Sequence, residues 1–200
     1  SDTIASADIY DNNTIKPISA NNHTSEAGLL AAYVWGFVDN CHTTDVKTDN
    51  TVAFRSIYTG DRYRASIGGL VGTISMGNIT DSSFTGTVYG ETDVTVADTN
   101  SGAFIGGLVG LANGGSVLDC DIDADVTGNT YRYLSLGGAI GYIMSNGRQY
   151  SNINYQGAVY GNVNITEKQC QTSTVEAGGL IGAGEFGLNT QIHNNTSEGI

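Results

Sequence analysis

One phrase, SIGGLVG at Ser66–Gly72, returns along the chain and restricts the fold more than any other feature of the sequence. Its further copies are FIGGLVG at Phe104–Gly110, LGGAIG at Leu136–Gly141, AGGLIG at Ala177–Gly182 and a weaker first copy, AGLLA at Ala27–Ala31. The matching glycines are Gly28, Gly69, Gly107, Gly138 and Gly179, which lie 31 to 41 residues apart. A constant phrase at a variable period is typical of stacked structural units joined by loops of unequal length.

The residues around and after each phrase predict at least two short strands per unit. Phe84, Gly86 and Val88 follow the second copy, and Ile122, Ala124 and Val126 repeat them after the third. Apolar and β-branched residues two positions apart, with glycines at the ends, are typical of strands. The segment Glu26–Phe37 has a helix-like composition, but its later copies carry paired glycines, each of which costs a helix about 1 kcal/mol. We therefore predict strand structure in that segment as well.

Units of this size cannot each enclose a core, so we expect them to stack. The predicted fold is all-β, a β-solenoid of about five coils over residues 26–200 that follows an extended N-terminal arm or cap, residues 1–25. Paired glycines are predicted at one corner of the coils, where a β-carbon would collide with the adjacent coil or the backbone takes a positive φ. These are Gly68, Gly69, Gly106, Gly107, Gly137, Gly138, Gly178 and Gly179.

The pattern GGLVG, a spacer, an isoleucine and then Gly-x-Val-x-Gly is similar to the GLUG repeat. That repeat occurs in large bacterial surface proteins, including adhesins and the non-catalytic part of some immunoglobulin-A proteases. Gly68–Gly90, GGLVGTISMGNITDSSFTGTVYG, carries the resemblance most clearly, and weaker copies extend from Ala27 to the end of the chain. The resemblance implies an extracellular repeat scaffold, and it specifies architecture far more than activity. The first unit lacks the glycine pair and the closing Gly-x-Val, as a capping coil would.

Charge and hydropathy exclude several classes of partner. The chain has 20 acidic and 8 basic side chains and a net charge of −12, which disfavours nucleic acid as a partner. Its longest apolar run, Ala27–Val38, is shorter than the roughly 20 residues of a membrane-spanning helix, so no membrane insertion is expected.

The chain starts at Ser1 without an initiator methionine or signal segment, which we interpret as a processed mature chain or a fragment. Few lysines and abundant Asn, Thr, Ser, Gly and Tyr favour an extracellular or cell-surface location.

Sequons and cysteines bear on the same location. The six Asn-x-Ser/Thr sequons are candidate glycosylation sites, although a chain rich in these residues forms such triplets by chance: Asn12, Asn22, Asn78, Asn164, Asn194 and Asn195. Cys41 and Cys120 occupy equivalent positions two coils apart, or about 9.6 Å, which exceeds the limit of about 7 Å for a disulfide. We expect both, and Cys170 in a long connection, to be free thiols.

The segment Leu118–Val126, LDCDIDADV, alternates acidic and apolar residues. One face of the predicted strand carries Asp119, Asp121, Asp123 and Asp125. Adjacent coils would bring oxygen-bearing side chains beside them, namely Asp81, Ser83, Thr85, Asn152, Asn154 and Gln156, so the surface could hold Ca²⁺. However, Ala124 stands where an EF-hand loop requires glycine, and carboxylates about 6.8 Å apart repel by only about 0.6 kcal/mol in water. We interpret the face as a solvated acidic surface without a metal, and calcium is the alternative.

A basic and aromatic group stands out on this acidic chain in the segment RSIYTGDRYR: Arg55, Tyr58, Arg62, Tyr63 and Arg64. It is a candidate contact for an acidic patch of a neighbouring subunit or for an acidic glycan. We expect the segments Asp49–Ala65, Glu91–Ser101 and Asn164–Glu176 to be loops that carry such contacts. His23, His42 and His193 are interpreted as surface histidines in polar loops.

No motif specifies a reaction, because HExxH, G-x-S-x-G and the phosphate loop are all absent from the sequence. We therefore predict a non-catalytic extracellular structural or adhesive module without a cofactor. Its expected partners are other copies, neighbouring repeats of a longer chain, or a host surface or glycan. The last unit, Gly178–Ile200, stops before its Gly-x-Val-x-Gly strand, so the arm Ser1–Ser25 of one subunit could donate a strand to the next in a filament. The alternative is a β-helical carbohydrate-active enzyme or glycan-binding module that uses the Asp119–Asp125 face with Arg132 or Arg148.

Overall fold

The computed structural model describes residues 3–5, 8–15, 23–47, 50–58, 63–94, 102–130, 133–163 and 174–199. These residues form nineteen β-strands and no α-helix. None of the described segments has the helix length and apolarity that crossing a bilayer requires.

The strands follow one another in five coils. Coil 1 contains β3 (His23–Ala27), β4 (Ala31–Asp39), β5 (Cys41–Thr43) and β6 (Thr51–Tyr58). Coil 2 contains β7 (Tyr63–Gly68), β8 (Val71–Thr80) and β9 (Ser83–Val94), and coil 3 contains β10 (Gly102–Gly106) and β11 (Val109–Thr130). Coil 4 contains β12 (Tyr133–Gly137), β13 (Ile140–Ser145), β14 (Gln149–Gly157) and β15 (Val159–Val163). Coil 5 contains β16 (Thr174–Gly178), β17 (Ile181–Phe186), β18 (Gln191–His193) and β19 (Thr196–Gly199).

Each strand pairs in parallel with the equivalent strand of the next coil. One sheet has the order β16-β12-β10-β7-β3, so it takes one strand from every coil. In the second sheet, β11 of coil 3 lies between β8 and β9 of coil 2 and β13, β14 and β15 of coil 4. The last described strand of coil 5 reaches Gly199, opposite Gly157, and the described residues make about four turns. This confirms the predicted β-solenoid, including strand structure in the segment Glu26–Phe37.

The N-terminal strands lie on the chain's own coil 1. β1 (Thr3–Ala5) pairs in parallel with β5, and β2 (Asp8–Ile15) pairs in parallel with β6. These strands therefore extend the stack by a partial coil instead of leaving it as a free arm. The division of the chain into residues 1–25 and 26–200 stays a prediction.

Several expectations about local structure are wrong, and the predicted loops Glu91–Ser101 and Asn164–Glu176 include the end of β9 and the start of β16. The predicted loop Asp49–Ala65 contains β6, which forms because Val52 and Phe54 are buried in the core and its backbone pairs with β9. The first copy of the phrase is also displaced by one residue: Ala27 pairs with Ile67, so Gly28 matches Gly68 and not Gly69. A register shift between Val34 and Gly36 then restores the alignment.

A single hydrophobic core runs through the coils. The sheet that contains β7, β10 and β12 is buried on both faces, which explains why both sides of the phrase are apolar or small. On one face Ile67, Ile105 and Leu136 pack so closely against the opposite strands that a β-carbon on Gly90 would lie 2.5 Å from the Cδ1 atoms of the two isoleucines. On the other face a β-carbon on Gly110 would lie 2.3 Å from the backbone nitrogen of Ile67. Burial of each large aliphatic side chain contributes about 1.5–3 kcal/mol.

Two corners of the coils differ in their chemistry. At the glycine corner a β-carbon on Gly69 would lie 2.1 Å from the carbonyl oxygen of Gly107 in the next coil. None of the predicted corner glycines has a positive φ, so close approach of the coils, and not backbone conformation, requires them. At the second corner the backbone is left-handed, with φ between 47° and 55°, at Asn40, Asp81, Asp119, Asn152 and Asn194. Asn and Asp adopt this conformation more readily than other side chains.

Candidate functional site

The acidic face consists of Asp119, Asp121, Asp123 and Asp125 on the outer side of β11. The inward residues between them are buried, which fixes the direction of the carboxylates. The register places Asp121 between Ser83 and Asn154, as the sequence predicts. Asp119 differs from the expectation of a straight strand because it occupies the left-handed corner, with φ 53°.

Hydrogen bonds from adjacent coils compensate the charges of the acidic face. The Nδ2 amides of Asn152 and Asn154 donate to Asp119 Oδ1 at 2.7 Å and to Asp121 Oδ1 at 2.9 Å. Lys47 Nζ, which reaches over from coil 1, lies 3.0 Å from Asp123 Oδ1 and 3.1 Å from Asp125 Oδ1. Burial lowers the pKa of Lys47, but the hydrogen bonds and charges of the two carboxylates outweigh it and raise that pKa. Because all three side chains are partly exposed, each ion pair contributes less than about 1 kcal/mol.

A groove of about 670 Å³ runs along the acidic face and crosses the coils. Its lining includes Asp45, Asp81, Asp121, Asp123 and Glu198. Ca²⁺ requires about six to eight oxygen ligands around one point. No group of three or more His, Cys, Asp or Glu side chains within the described ranges is arranged to hold a metal ion. One oxygen of each carboxylate accepts a hydrogen bond from an asparagine amide or from Lys47, and the calcium alternative stays a prediction.

The predicted basic and aromatic group is not a single patch. Its two arginines with described side chains, Arg55 and Arg64, contact different residues. Arg55 Nε lies 3.2 Å from Glu91 Oε1 on β9. The Arg64 guanidinium carbon instead lies 5.9 Å from the centre of the Phe104 ring on β10. Tyr58 and Tyr63 are the last residue of β6 and the first of β7, and Arg62 falls outside the described residues.

The contact of Arg64 belongs to an aromatic cleft that the sequence interpretation missed. The rings of Phe104 and Tyr142 are stacked with centroids 4.6 Å apart. The Tyr133 ring stands nearly perpendicular to both, at 6.0 Å from Phe104 and 6.5 Å from Tyr142. One signal was available in the sequence: Phe104 replaces a residue that is serine in two other copies of the phrase, Ser66 and Ser135.

The cleft has a volume of about 220 Å³ and is lined by Arg64, Phe104, Tyr133, Tyr142, Met144 and Glu185, together with Gly102. Register places Gly102 between Arg64 and Tyr133 on adjacent strands, so the missing side chain leaves the opening between them. The Tyr133 hydroxyl donates to Glu176, and the Tyr142 hydroxyl donates to Glu185 Oε1 at 3.4 Å. Burial, and then these carboxylates, raise the pKa of both tyrosines, so both hydroxyls stay protonated at neutral pH.

A row of exposed aromatic side chains forms a second surface feature, on β4. Tyr33, Trp35 and Phe37 are 47%, 74% and 79% exposed. Met76, on the adjacent strand β8, is also exposed. Within the described residues β4 pairs with β8 alone, so this row lies on an edge strand.

The remaining predicted residues that the structure describes lie in strands or close to the left-handed corner. Asn78 lies in β8 and Asn194 is exposed, whereas the Asn195 amide donates to the carbonyl of Tyr150 at 3.0 Å, which opposes glycosylation there. Asn12 lies in β2, and Asn22, Asn164, Cys170 and Arg132 fall outside the described residues. Cys41 and Cys120 are free thiols. The histidines lie in strands and not in loops: His23 in β3, His42 in β5 and His193 in β18.

Comparison with known proteins agrees with the repeat seen in the structure. Residues 63–89 match the GLUG motif, and this segment is coil 2 from β7 through most of β9. No curated protein and no solved structure shows significant similarity to the chain. The chain therefore contains a GLUG motif in coil 2, and the other coils repeat the geometry of that coil in register.

Proposed function

We propose that the chain is a non-catalytic repeat module that acts outside the cell as a structural or adhesive element. The observation that carries the proposal is the continuous parallel stack, in which every coil shares its backbone ladders and its core with the next. Such a stack is a spacer whose length grows by about 4.8 Å per coil. Its backbone hydrogen bonds run along the stacking axis, so many of them must break together before adjacent coils separate. This geometry suits a module that presents a surface under tension.

The surfaces of the stack support adhesion more than catalysis. The acidic face and its groove offer exposed polar groups, and the aromatic row of β4 is an apolar patch of a kind that often marks contact sites. A glycosidase needs a carboxylic acid that keeps its proton beside a second carboxylate. The carboxylates of the acidic face are instead exposed and accept amide or ammonium hydrogen bonds.

For partners, we propose stacking at the edges of the solenoid. Within the described residues the strands of coil 5 pair only with coil 4, and β15 pairs only with β11. An open strand edge is a template for another strand. Either a further repeat of a longer chain or a second copy would continue the ladder. The N-terminal strands β1 and β2 already pair with β5 and β6 of the same chain, so they would have to leave coil 1 before they could be donated to another subunit.

The adhesive role is tested with beads coated with the purified chain and incubated with cultured cells and with immobilised polysaccharides. Control beads carry an unrelated folded protein of the same net charge, so that repulsion between acidic surfaces is matched. We expect more adhesion with the repeat module. Equal adhesion of both bead types would overturn the adhesive role. Polysaccharide hydrolysis that is lost in the double variant Asp121→Asn, Asp123→Asn would overturn the non-catalytic assignment.

A further inference from the structure

The aromatic cleft combines apolar ring faces with a cation, a carboxylate and hydroxyl groups in one small cavity. We propose that it binds one neutral pyranose ring at the surface of a glycan. This inference rests on the proposed adhesive function and names a ligand class and a site for it. The site differs from the acidic face, which lies on other strands.

The size of the cleft restricts the ligand to a single ring. Drug-sized ligands occupy pockets of about 300–1,000 Å³, and this cavity has about 220 Å³. Arg64 and Tyr133 flank it from strands on either side of β10, so about 9.6 Å separates their backbones. A chain of sugars could therefore enter with one residue while the others stay in solvent.

The chemistry of the lining matches a sugar ring better than an ion. A pyranose has an apolar face of C–H groups and an edge of hydroxyls. Tyr133 and Tyr142 are half-buried and offer the amphipathic ring surfaces that such a face contacts. Arg64 donates hydrogen bonds, and Glu185 accepts them. Glu176, which accepts the hydrogen bond of the Tyr133 hydroxyl beside the cleft, adds a second carboxylate, so the surplus negative charge disfavours anionic sugars and favours neutral ones.

The aromatic rings of the cleft come from coils 3 and 4, and Arg64 of coil 2 and Glu185 of coil 5 complete its lining. The residues equivalent to Phe104 in coils 2 and 4 are Ser66 and Ser135, and those equivalent to Tyr142 in coils 2 and 3 are Thr73 and Leu111. Gly102 is a further requirement, because a β-carbon there would lie 2.5 Å from the carbonyl oxygen of Tyr133. The three aromatic rings thus meet at one place in the described stack, between coils 3 and 4.

The test is a titration of the full chain with methyl pyranosides of glucose, galactose, mannose and N-acetylglucosamine, followed by saturation-transfer NMR. A single sugar ring is expected to bind weakly, with a Kd of about 1 mM. We expect Tyr142→Ala to weaken binding at least tenfold and Tyr142→Phe, which keeps the ring, to weaken it by less than about threefold. The matched control is Tyr160→Ala, an exposed tyrosine outside the cleft, which should leave binding unchanged.

Each outcome separates this inference from the adhesive role. Binding of none of the pyranosides, or binding that Tyr142→Ala leaves unchanged while its thermal unfolding matches that of the wild type, overturns the inference. Binding of tetramethylammonium in place of the sugars also overturns it, because the cleft would then be a cation site. Pyranoside binding without adhesion of coated beads supports the cleft and contradicts the adhesive role. Adhesion of coated beads without pyranoside binding supports the adhesive role and overturns the assignment of the cleft.

Discussion

Gly107 lies directly against Gly138 of the next coil: a β-carbon on Gly107 would be 2.1 Å from the Gly138 carbonyl oxygen. A backbone carbonyl cannot rotate away from a new methyl group as a side chain can. We therefore expect Gly107→Ala to lower the free energy of unfolding by about 3 kcal/mol. The matched control is Gly179→Ala, at the same position of coil 5. There a β-carbon meets only the Ser197 side chain, which can rotate away, so a loss below about 1 kcal/mol is expected. Urea unfolding measures both, and equal losses would contradict the clash.

Met76 and Gly114 occupy equivalent positions in adjacent coils, and both have a positive φ, 59° and 74°. A left-handed backbone costs a non-glycine residue about 1–2 kcal/mol, and glycine loses about 0.5–1 kcal/mol through the entropy of the unfolded chain. We expect Met76→Gly to raise the free energy of unfolding by about 0.5–1 kcal/mol. Ser75→Gly, at the preceding residue, should lower it by a similar amount. The prediction fails if both variants lose stability in urea unfolding.

The repeat made the stack predictable because its signals are local. Alternation in β9 and β11, and the need for Gly69 and Gly107, follow from residues that each coil repeats. Gly28 did not predict the register of coil 1. Coil 2 has one additional residue, Met76, in the strand that follows the phrase, so the two halves of the strand align with different offsets. β6 was missed because its place depends on pairing with β9 and not on a copy of the phrase.

The left-handed corner could have been predicted from its Asn and Asp residues, but in coil 3 the alternating pattern of the sequence indicated a straight strand instead. The five corner positions are Asn or Asp in every coil, among them Asp81 and Asp119. Asp119 also fits the alternating pattern of LDCDIDADV, and that pattern alone predicts a straight strand. The aromatic cleft carried less signal, because Phe104, Tyr133 and Tyr142 come from two coils and two sheets. Their contact depends on how the sheets fold against each other at the glycine corner.

The acidic face provides a test of the calcium alternative. Asp119 and Asp121 accept hydrogen bonds from asparagine amides, and Asp123 and Asp125 are bridged by Lys47. We expect millimolar calcium to leave the midpoint of thermal unfolding unchanged relative to the same concentration of magnesium. A saturable increase with calcium alone, absent in Asp121→Asn, would show a site that this arrangement does not provide.

Ser82 of coil 2 lies between Cys41 and Cys120, and its Oγ accepts a hydrogen bond from the Cys41 backbone nitrogen at 3.2 Å. The two cysteines therefore cannot reach each other, and Cys170 is also expected to be free. Denatured protein should give three reactive thiols. In the native protein Cys120, which is fully buried, should be protected from alkylation. Mass spectrometry after alkylation before and after denaturation measures this, and fewer than three labelled cysteines would disprove it.

The buried Cys120 thiol should make stability fall at alkaline pH. Burial, and then the nearby carboxylates Asp119, Asp121 and Asp81, raise the pKa of Cys120 from its ordinary value of 9.0 to about 12. Between these values the unfolded chain loses the thiol proton and the folded chain keeps it, so rising pH favours unfolding. Cys120→Ala should remove up to about 1.4 kcal/mol per pH unit from this slope. Urea unfolding from pH 7 to 11 tests it: below pH 9 the two curves should run parallel, and parallel curves above pH 9 would refute the linkage.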